Sequence, residues 1–411
     1  MSLVDRFLGE LVKRGQLTLV FADGTRRTVG TPDPALKPVT VRFADRRIPA
    51  IIAANPMMGA AEGFMDGRML VEEGDIRDLI DLVRANGRHE DELIAGNLTA
   101  GLGGRVRNAL LWAANRVHDA ARSRRNVAHH YDIGNRLYDL FLDRDRQYSC
   151  AYYREPDATL EQAQADKKAH IAAKLDLRPG QRVLDIGCGW GGMALYLHEK
   201  TGADVLGITL SEEQLKRARE RAAAAGVSDH VQFELIDYRD VTGPFDRIVS
   251  VGMFEHVGPA MYQAFFDTCY RLLAPEGVML LHTIGQLGEP TPTDPFTLKY
   301  IFPGGYNPAL SQMMAASEKS RLIVSDVEIL RLHYAWTIDG WYDRAVAARD
   351  DIVALYDERF YRMWTYYLAG ARSAFVHGNL CNYQVQYIKR REALPITRDY
   401  MVEAEARYRA D

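Results

Sequence analysis

The most informative polar segment of this sequence follows a short apolar run, Val183 to Ile186, which reads as a buried strand. The segment from Gly187 to Gly192 contains four glycines. Glycine lets the backbone turn sharply and approach a ligand closely, because no Cβ stands in the way. Apolar residues with helical spacing come next, around Met193 to Leu197. Strand, glycine turn and helix start together predict a nucleotide-type binding turn, and the spacing is not that of a phosphate loop.

Four further residues of reactive type stand at predicted strand ends or loop starts: Cys150, Glu255, His282 and Tyr334. Structural interpretations compete with chemical ones. A lone cysteine is more often a small buried hydrophobic residue than a nucleophile. Glu255 has a second interpretation as a helix cap, and His282 as a hydrogen-bonded core histidine. Taken one by one, these positions therefore leave the chemistry open.

The sequence predicts no metal site. Glu255 and His256 are adjacent, so they cannot share one helix face as the ligands of an H-E-x-x-H zinc site do. The four cysteines, at positions 150, 188, 269 and 381, have no paired C-x-x-C spacing. This spacing supports neither a zinc site nor a disulfide framework, and it is typical of a protein of the reducing cytosol.

Strands alternate with helices from Ile171 onward, which predicts a parallel sheet covered by helices on both faces. In such a fold the ligand binds at the carboxyl ends of the strands, where the glycine turn lies. The predicted strands are Val183–Ile186, Asp204–Ile208, Val231–Ile236, Arg247–Val251 and Val278–His282. The tail from Trp341 to Tyr408 is predicted to be mostly helical.

A small α+β domain is predicted at residues 1–88. It has strands at Leu17–Phe21, Val39–Phe43, Ile48–Ala53 and Arg68–Glu72 and a helix at Ile76–Ala85. Residues 89–128 form a basic connector whose arginines alternate with apolar side chains. Such a segment can lie on an anionic membrane surface or form the solvated face of a core helix, and we leave both interpretations open. The third predicted region is 129–411.

Composition excludes some classes of function. The chain has 411 residues, of which 47% are hydrophobic, and its net charge of −4 gives no general case for binding nucleic acid. The first eleven residues lack the long apolar core of a secretory signal. No uninterrupted apolar stretch reaches the roughly 20 residues that span a bilayer. We therefore predict a cytoplasmic protein, and any association with a membrane must be peripheral, at the inner face of the cytoplasmic membrane.

Several long motifs, in order along the chain, closely resemble those of cyclopropane-fatty-acyl-phospholipid synthases, a family of S-adenosylmethionine-dependent methyltransferases. The motifs lie at 147–152, 183–192, 245–258, 281–285, 299–304 and 360–368. The resemblance runs from about Asn126 to about Tyr387, and the N-terminal ninety residues look like the lipid-binding domain of bacterial members. It implies a Rossmann-like class I methyltransferase domain, α/β with helical additions, preceded by the small α+β domain.

The resemblance also implies a reaction. The methyl group of S-adenosylmethionine passes to a cis double bond of a phospholipid acyl chain, and the resulting carbocation loses a proton from the new methyl and closes a cyclopropane ring. The proton acceptor in this family is a bound bicarbonate ion. By position, its implied ligands here are Cys150, Glu255, His282 and Tyr334, with a backbone contact near Ile284.

The resemblance implies the cofactor-binding residues in the same way. Tyr148 and Ser149 are implied to border the methionine end, the glycine turn to line the site, and the residues after the second and third strands to contact adenosine. The full implied set is Tyr148, Ser149, Asp185, Gly187, Gly189, Thr209, Leu210, Gln214, Asp237, Tyr238 and Arg239. Many methyltransferases place an acid at the end of the second strand, whereas this chain has Gly207-Ile208-Thr209 there, a departure that the synthase family shares.

Two alternatives stay open at this point. The same methyl transfer could give a methyl-branched or exomethylene acyl chain if the cation lost its proton elsewhere or were reduced. From another class, the chain could be a catalytically inactive lipid-binding protein. The predicted partners are a phospholipid with a cis-unsaturated acyl chain and an anionic membrane surface, without nucleic acid. Family likeness alone suggests a homodimer.

Overall fold

The structure is a computed structural model, and it describes residues 12–87 and 135–409. The predicted basic connector, residues 89–128, lies outside the described part of the chain, and so do residues 129–134 of the third predicted region. The chain divides into two compact units, each of which is described by itself below.

The strands form two separate sheets, one of four strands and one of seven. They are β1 (Leu17–Val20), β2 (Arg26–Val29), β3 (Val39–Phe43), β4 (Met69–Glu73), β5 (Arg182–Ile186), β6 (Asp204–Thr209), β7 (Val231–Leu235), β8 (Phe245–Val251), β9 (Leu273–Gln286), β10 (Ile323–Leu330) and β11 (Leu380–Ile388). The large sheet has the order β10-β11-β9-β8-β5-β6-β7, and the small one β2-β1-β3-β4.

The helices of the described residues are α1 (Ile48–Ala54), α2 (Pro56–Met65), α3 (Ile76–Ala85), α4 (Asn135–Phe141), α5 (Leu160–Leu175), α6 (Gly192–Thr201), α7 (Glu212–Ala224), α8 (Tyr262–Leu272), α9 (Leu310–Lys319), α10 (His333–Ala347), α11 (Arg349–Leu355), α12 (Glu358–Val376) and α13 (Asp399–Arg409). Short 3-10 turns lie at Tyr238–Asp240, Phe254–His256 and Pro259–Met261, and a π-helical turn at Thr297–Ile301. Within the described ranges, none of these helices combines the length and apolarity needed to cross a membrane.

The parallel part of the large sheet confirms the predicted strand–helix alternation. Strands β5 to β9 correspond to the five predicted strands, and they pair in parallel from β9 through β8, β5 and β6 to β7. Alternate residues face opposite sides. Leu184 and Ile248 join the core cluster on one face, whereas Val183 and Val249 join the cluster on the other. Helices therefore cover both faces, as expected for a Rossmann-like α/β domain.

Two strands of this sheet were absent from the prediction. β10 and β11 extend it beyond β9, and both of their pairings are antiparallel. The sequence of β11 contains Asn382, Gln384 and Gln386, each almost fully buried. Alternating polar residues in a helical tail do not indicate an interior strand, because polar groups are rarely buried unless they are hydrogen-bonded.

The small sheet and α1 to α3 belong to the first compact unit. The strands predicted at Leu17–Phe21, Val39–Phe43 and Arg68–Glu72 and the helix Ile76–Ala85 are confirmed. The strand predicted at Ile48–Ala53 is wrong, because α1 occupies these residues. Pro49 lies in its first turn, where a missing N–H costs nothing. The Asp45 carboxylate accepts hydrogen bonds from the N–H groups of Arg47 and Ile48, at 2.8 and 3.3 Å, and thereby helps to begin the helix.

The composition of the first unit departs from the predicted boundaries. Besides residues 12–87 it includes 294–303 and 335–379, which the sequence placed within the third region. Ion pairs join these distant segments, for instance Arg77 of α3 to Asp339 and Asp343 of α10 at 3.1 and 2.9 Å. Arg372 of α12 bonds to the same Asp339 at 2.7 Å. Pairs between residues so far apart along the chain leave no local pattern in the sequence.

Candidate active site

A cavity lies at the carboxyl ends of the parallel strands in the second unit. It encloses about 1260 Å³, part of it open to solvent. Its lining includes every residue implied to bind the cofactor: Tyr148, Ser149, Asp185, Gly187, Gly189, Thr209, Leu210, Gln214, Asp237, Tyr238 and Arg239. The structure therefore brings all eleven together from four separate segments of the chain, and their individual roles stay predictions.

The glycine turn approaches the cavity through its backbone. Gly187 has a φ of +83°, in the left-handed region that L side chains rarely adopt. A Cβ built there would lie 2.8 Å from the Cβ of Met253, which also lines the cavity. The N–H groups of Gly187 and Cys188 both donate to the Ile208 carbonyl, at 2.9 and 3.0 Å. Only a residue without a side chain fits this turn.

Asp185, the last residue but one of β5, is almost fully buried in the cavity wall. Burial raises the pKa of its carboxyl to about 7, and the charge of Lys167 acts in the opposite direction. Its Oδ2 has no hydrogen-bond partner among the described residues. An unpartnered buried carboxylate oxygen is costly, and a cationic ligand would satisfy it.

A second group of cavity-lining residues, at the ends of β6 and β7, makes short polar contacts. The Thr209 hydroxyl donates to Gln214 Oε1 at 2.9 Å. Asp237 accepts two hydrogen bonds from the guanidinium of Arg239, at 2.8 and 2.6 Å, and a third from the Arg239 N–H at 3.0 Å. These contacts hold the side chains on rigid strand ends, which makes the cavity largely preformed.

Glu255 lies in the 3-10 turn after β8, between the cavity-lining residues Met253 and His256. Its Oε1 accepts the N–H of Ile284 at 2.7 Å, which fastens the turn to the end of β9. Its Oε2 is buried and has no hydrogen-bond partner in the described chain. Burial raises the pKa of Glu255 to about 7, although the Ile284 N–H acts in the opposite direction.

His282 is buried in β9, and burial lowers its pKa well below the usual value, so the imidazole is neutral. Both ring nitrogens lie 3.1 Å from amide nitrogens of β11, Nε2 from Asn382 and Nδ1 from Gln384. A neutral imidazole offers one N–H and one lone pair, so one amide must present its oxygen. Gln384 Oε1 is buried without a partner in the described residues. If the Gln384 amide is turned over, its Oε1 accepts a hydrogen bond from the Nδ1–H of His282.

Cys150 is fully buried, and burial raises the pKa of its thiol. Its Sγ–H donates to the Ala151 carbonyl at 3.3 Å. A neutral buried thiol is a poor nucleophile, because the thiolate is the reactive form. The residue can therefore serve as a hydrogen-bond partner rather than as a covalent catalyst.

Contacts and strand register relate three of the four predicted catalytic residues to the end of β9. Glu255 contacts Ile284, whose strand partner in β11 is Asn382, the residue that touches His282. Cys381, next along β11, is near enough to Cys150 that its thiol contributes to the raised pKa of Cys150, after burial. The fourth, Tyr334, is buried at the start of α10, four residues after Leu330, which pairs with Asn382. Its role in the site stays a prediction.

The model of the protein family described as mycolic acid cyclopropane synthetase matches residues 118–385. The chain belongs to this family. The match covers well over half of the chain and includes all fifteen predicted site residues. It confirms the family that the motifs at 183–192 and 245–258 indicated.

Individual relatives support the same family. The chain is 46% identical to the cyclopropane-fatty-acyl-phospholipid synthase of Escherichia coli over 63% of its own length and 66% of that protein. It is 32% identical to a tuberculostearic acid methyltransferase of Mycobacterium tuberculosis over 94% of its own length and 91% of that protein. A mycolic acid cyclopropane synthase crystallised with SAH and CTAB superposes with a TM-score of 0.61 at 35% identity, covering 64% of this chain and 97% of that one.

These relatives confirm a class I methyltransferase fold and an S-adenosylmethionine-dependent methyltransferase. The cavity of this cyclopropane synthetase family member fits that cofactor. S-Adenosylmethionine carries a sulfonium and an ammonium, and the unpartnered Asp185 oxygen offers a buried counter-charge. Gly187 lines this cavity with its backbone, since it has no side chain.

Sequence reasoning missed several residues of the site. Trp190, Met253 and His256 line the cavity, although the motifs containing them gave them no role. Behind the cavity wall, Lys167 of α5 donates to Gln147 and Ser149. No signal in a segment as polar as Gln162 to Lys168 separates a buried lysine from a solvated one.

Proposed function

We propose that this chain transfers the methyl group of S-adenosylmethionine to a cis double bond of a phospholipid acyl chain and forms a cyclopropane ring. The observation that carries the proposal is the buried Glu255 carboxylate, in a turn whose neighbouring residues Met253 and His256 line the cofactor cavity, with one oxygen unpartnered among the described residues. A carboxylate so placed can orient a proton acceptor next to the methyl donor. The 46% sequence identity to the E. coli cyclopropane-fatty-acyl-phospholipid synthase supports the ring-forming reaction.

The methyl transfer places two demands on the protein. An alkene is a weak nucleophile, so it must be aligned with the methyl group, and water must be excluded because it would trap the carbocation. Met253, Val257 and Met261 give one side of the cavity an apolar wall. Nearby, Phe254 is fully buried and stacks on Tyr262, with ring centroids 4.4 Å apart. We assign water exclusion to this apolar wall.

The residues around Glu255 fit a bound bicarbonate. Glu255 Oε2, buried and without a partner among the described residues, can accept a hydrogen bond from the hydroxyl of the ion. Cys150, Tyr334 and His282 are the candidate donors to its oxygens. Cys150 would exchange its contact with the Ala151 carbonyl, and His282 one of its amide contacts. When bound there, bicarbonate supplies the base that accepts the proton lost from the new methyl group.

A second product class has its own support. The relative matched over nearly the whole chain is named as a tuberculostearic acid methyltransferase, and it is 32% identical. The opening methyl transfer is common to ring formation and to methyl branching, since both begin with the same carbocation. The alternative function is therefore the same transfer with a methyl-branched or exomethylene product.

The deciding experiment uses the purified full chain with S-adenosylmethionine, bicarbonate and vesicles of a cis-monounsaturated phospholipid. We expect the acyl chain to gain one CH2 by mass spectrometry and to show upfield ring protons by NMR. Vinyl signals would show that deprotonation gives an exomethylene chain instead of the ring. A methyl-branched chain requires a hydride donor as well, so a parallel reaction includes a reduced nicotinamide cofactor, and methyl-branch signals there would also replace the ring with the second product class. S-Adenosylhomocysteine should form in proportion to product. If neither product nor S-adenosylhomocysteine formed, an inactive lipid-binding protein would become the better description.

We further propose that the chain works at the inner surface of the cytoplasmic membrane, through the basic connector. Replacing Arg105, Arg107, Arg122, Arg124 and Arg125 with glutamine should weaken binding to anionic vesicles in sedimentation assays. The wild-type binding should weaken as salt rises, because the attraction is screened. A control with the same change of net charge replaces five well-exposed arginines elsewhere: Arg178, Arg217, Arg349, Arg390 and Arg398. Equal loss in both variants would contradict a specific role of the connector.

A further inference from the structure

Lys167 is a fully buried lysine in α5, with none of its surface exposed. Its Nζ donates to Gln147 Oε1 at 2.7 Å and to Ser149 Oγ at 2.8 Å. Both acceptors belong to residues that line the cofactor cavity. The ammonium therefore supports the cavity wall from behind, one layer away from the ligand.

The hydrogen-bond partners of this lysine are neutral. Asp143 and Asp145 act on it electrostatically but do not accept its hydrogen bonds. Burial consequently lowers the pKa of Lys167 to about 7. A buried charge without a directly bonded counter-ion is unfavourable for folding, so a hydrophobic residue would be the expected occupant of a purely structural position.

The charge of Lys167 influences the pKa of three buried groups, Asp185, Cys150 and His282. It favours the ionised form of Asp185 in the cavity wall, against the effect of burial. It also lowers the pKa of Cys150 and of His282, although burial dominates in both cases. Lys167 is thus the cation in the described residues that acts on Asp185, the carboxylate with an unpartnered oxygen in the cofactor cavity.

We propose that Lys167 is a positioning residue for S-adenosylmethionine: its two hydrogen bonds fix Gln147 and Ser149 in the cavity wall to which Asp185 also belongs. Two consequences distinguish this role from simple packing. The affinity for S-adenosylmethionine should depend on the two hydrogen bonds that Lys167 donates. It should also depend on pH through Asp185. The inference does not require the lipid substrate or the bicarbonate of the proposed function.

The test measures the dissociation constant of S-adenosylmethionine by isothermal titration calorimetry across pH 6 to 9. For Lys167→Met we expect at least about tenfold weaker binding at pH 7.5, the size of effect given by a lost charge-assisted contact. Wild-type affinity should rise as Asp185 ionises near pH 7. Without the lysine the pKa of Asp185 is higher, so this rise should move to higher pH. Lys167→Gln, which keeps polarity but not charge, should shift the profile in the same direction.

Lys174 provides a matched control. It is also buried, lies two turns further along α5, and bonds to Glu328 rather than to the cavity wall. Lys174→Met should lower the melting temperature but leave the dissociation constant within about twofold. Binding by a folded Lys167→Met protein within twofold of wild type, with an unmoved pH profile, would overturn the proposal. The proposal would also be overturned if neither Lys167 variant folded, because the lysine would then be required for the stability of the core.

Discussion

Replacing Glu255 with glutamine is expected to reduce turnover by about 100-fold or more while S-adenosylmethionine still binds normally. A positioned general base or its orienting group typically contributes a factor of about 10² to 10⁴. Glutamine keeps the size of the side chain and an oxygen that can accept the Ile284 N–H, so the turn after β8 should hold its shape. It replaces the unpartnered Oε2 with an NH2 group, which cannot accept the hydroxyl of bicarbonate.

Stability should change in the opposite direction from activity. The pKa of Glu255 is about 7 in the folded protein against 4.5 ordinarily, so ionisation above pH 4.5 opposes folding until the folded carboxyl also ionises near pH 7. The glutamine variant lacks this penalty. We therefore expect it to be more stable than wild type at pH 8, by roughly 3 kcal/mol. The difference should vanish near pH 4.

The control for this experiment is Glu276→Gln. Glu276 is exposed and pairs with Arg390 at the surface, so its replacement should alter neither turnover nor stability measurably. Steady-state turnover, calorimetric binding of S-adenosylmethionine and thermal melting at two pH values would be compared for the three proteins. Turnover near wild type in Glu255→Gln would exclude the proposed arrangement around the carboxylate. Loss of cofactor binding would instead place Glu255 among the cofactor ligands.

Replacing Gly187 with alanine should abolish measurable S-adenosylmethionine binding and, with it, all activity. The added Cβ would lie 2.8 Å from Met253 Cβ, closer than Cβ atoms approach, so the cavity wall must shift. The positive φ adds strain of roughly 1 kcal/mol. Displacing the turn by even about 1 Å moves the backbone that faces the cofactor, and such misplacement is known to cost about 10²-fold in rate.

Gly180 separates the steric effect from the backbone strain. It has a similar φ of +76°, but a Cβ there would meet nothing within 4 Å. Gly180→Ala should therefore lose about 1 kcal/mol of stability and keep its affinity for S-adenosylmethionine. Calorimetric titration of both variants with S-adenosylhomocysteine, a ligand that cannot react, gives the comparison. Binding by Gly187→Ala within tenfold of wild type would refute the close fit of this turn.

The cofactor side of the site was predictable because its signals are local. Asp185, Gly187 and Gly189 lie within five residues, and the strand before them and the helix after them follow from residue periodicity. The carboxyl ends of parallel strands meet at one edge of a sheet, so residues at the ends of β6 and β7 were expected to lie near the glycine turn. The individual cofactor residues, Tyr148 and Ser149 among them, came only from family resemblance, since periodicity locates the strand ends but does not show which side chains contact a ligand.

The sequence by itself thus determined the parallel core of the sheet, the glycine turn and the family. Only the tertiary structure decided the environment of α5. Its segment Leu160–Leu175 reads as a charged, solvated helix, yet Lys167, His170 and Lys174 are buried. Glu328 of β10 and Glu405 of α13 bond to His170 at 2.7 and 2.9 Å, from positions far later in the chain. The burial of a polar side chain depends on partners supplied by distant segments, and those partners are invisible in a local pattern.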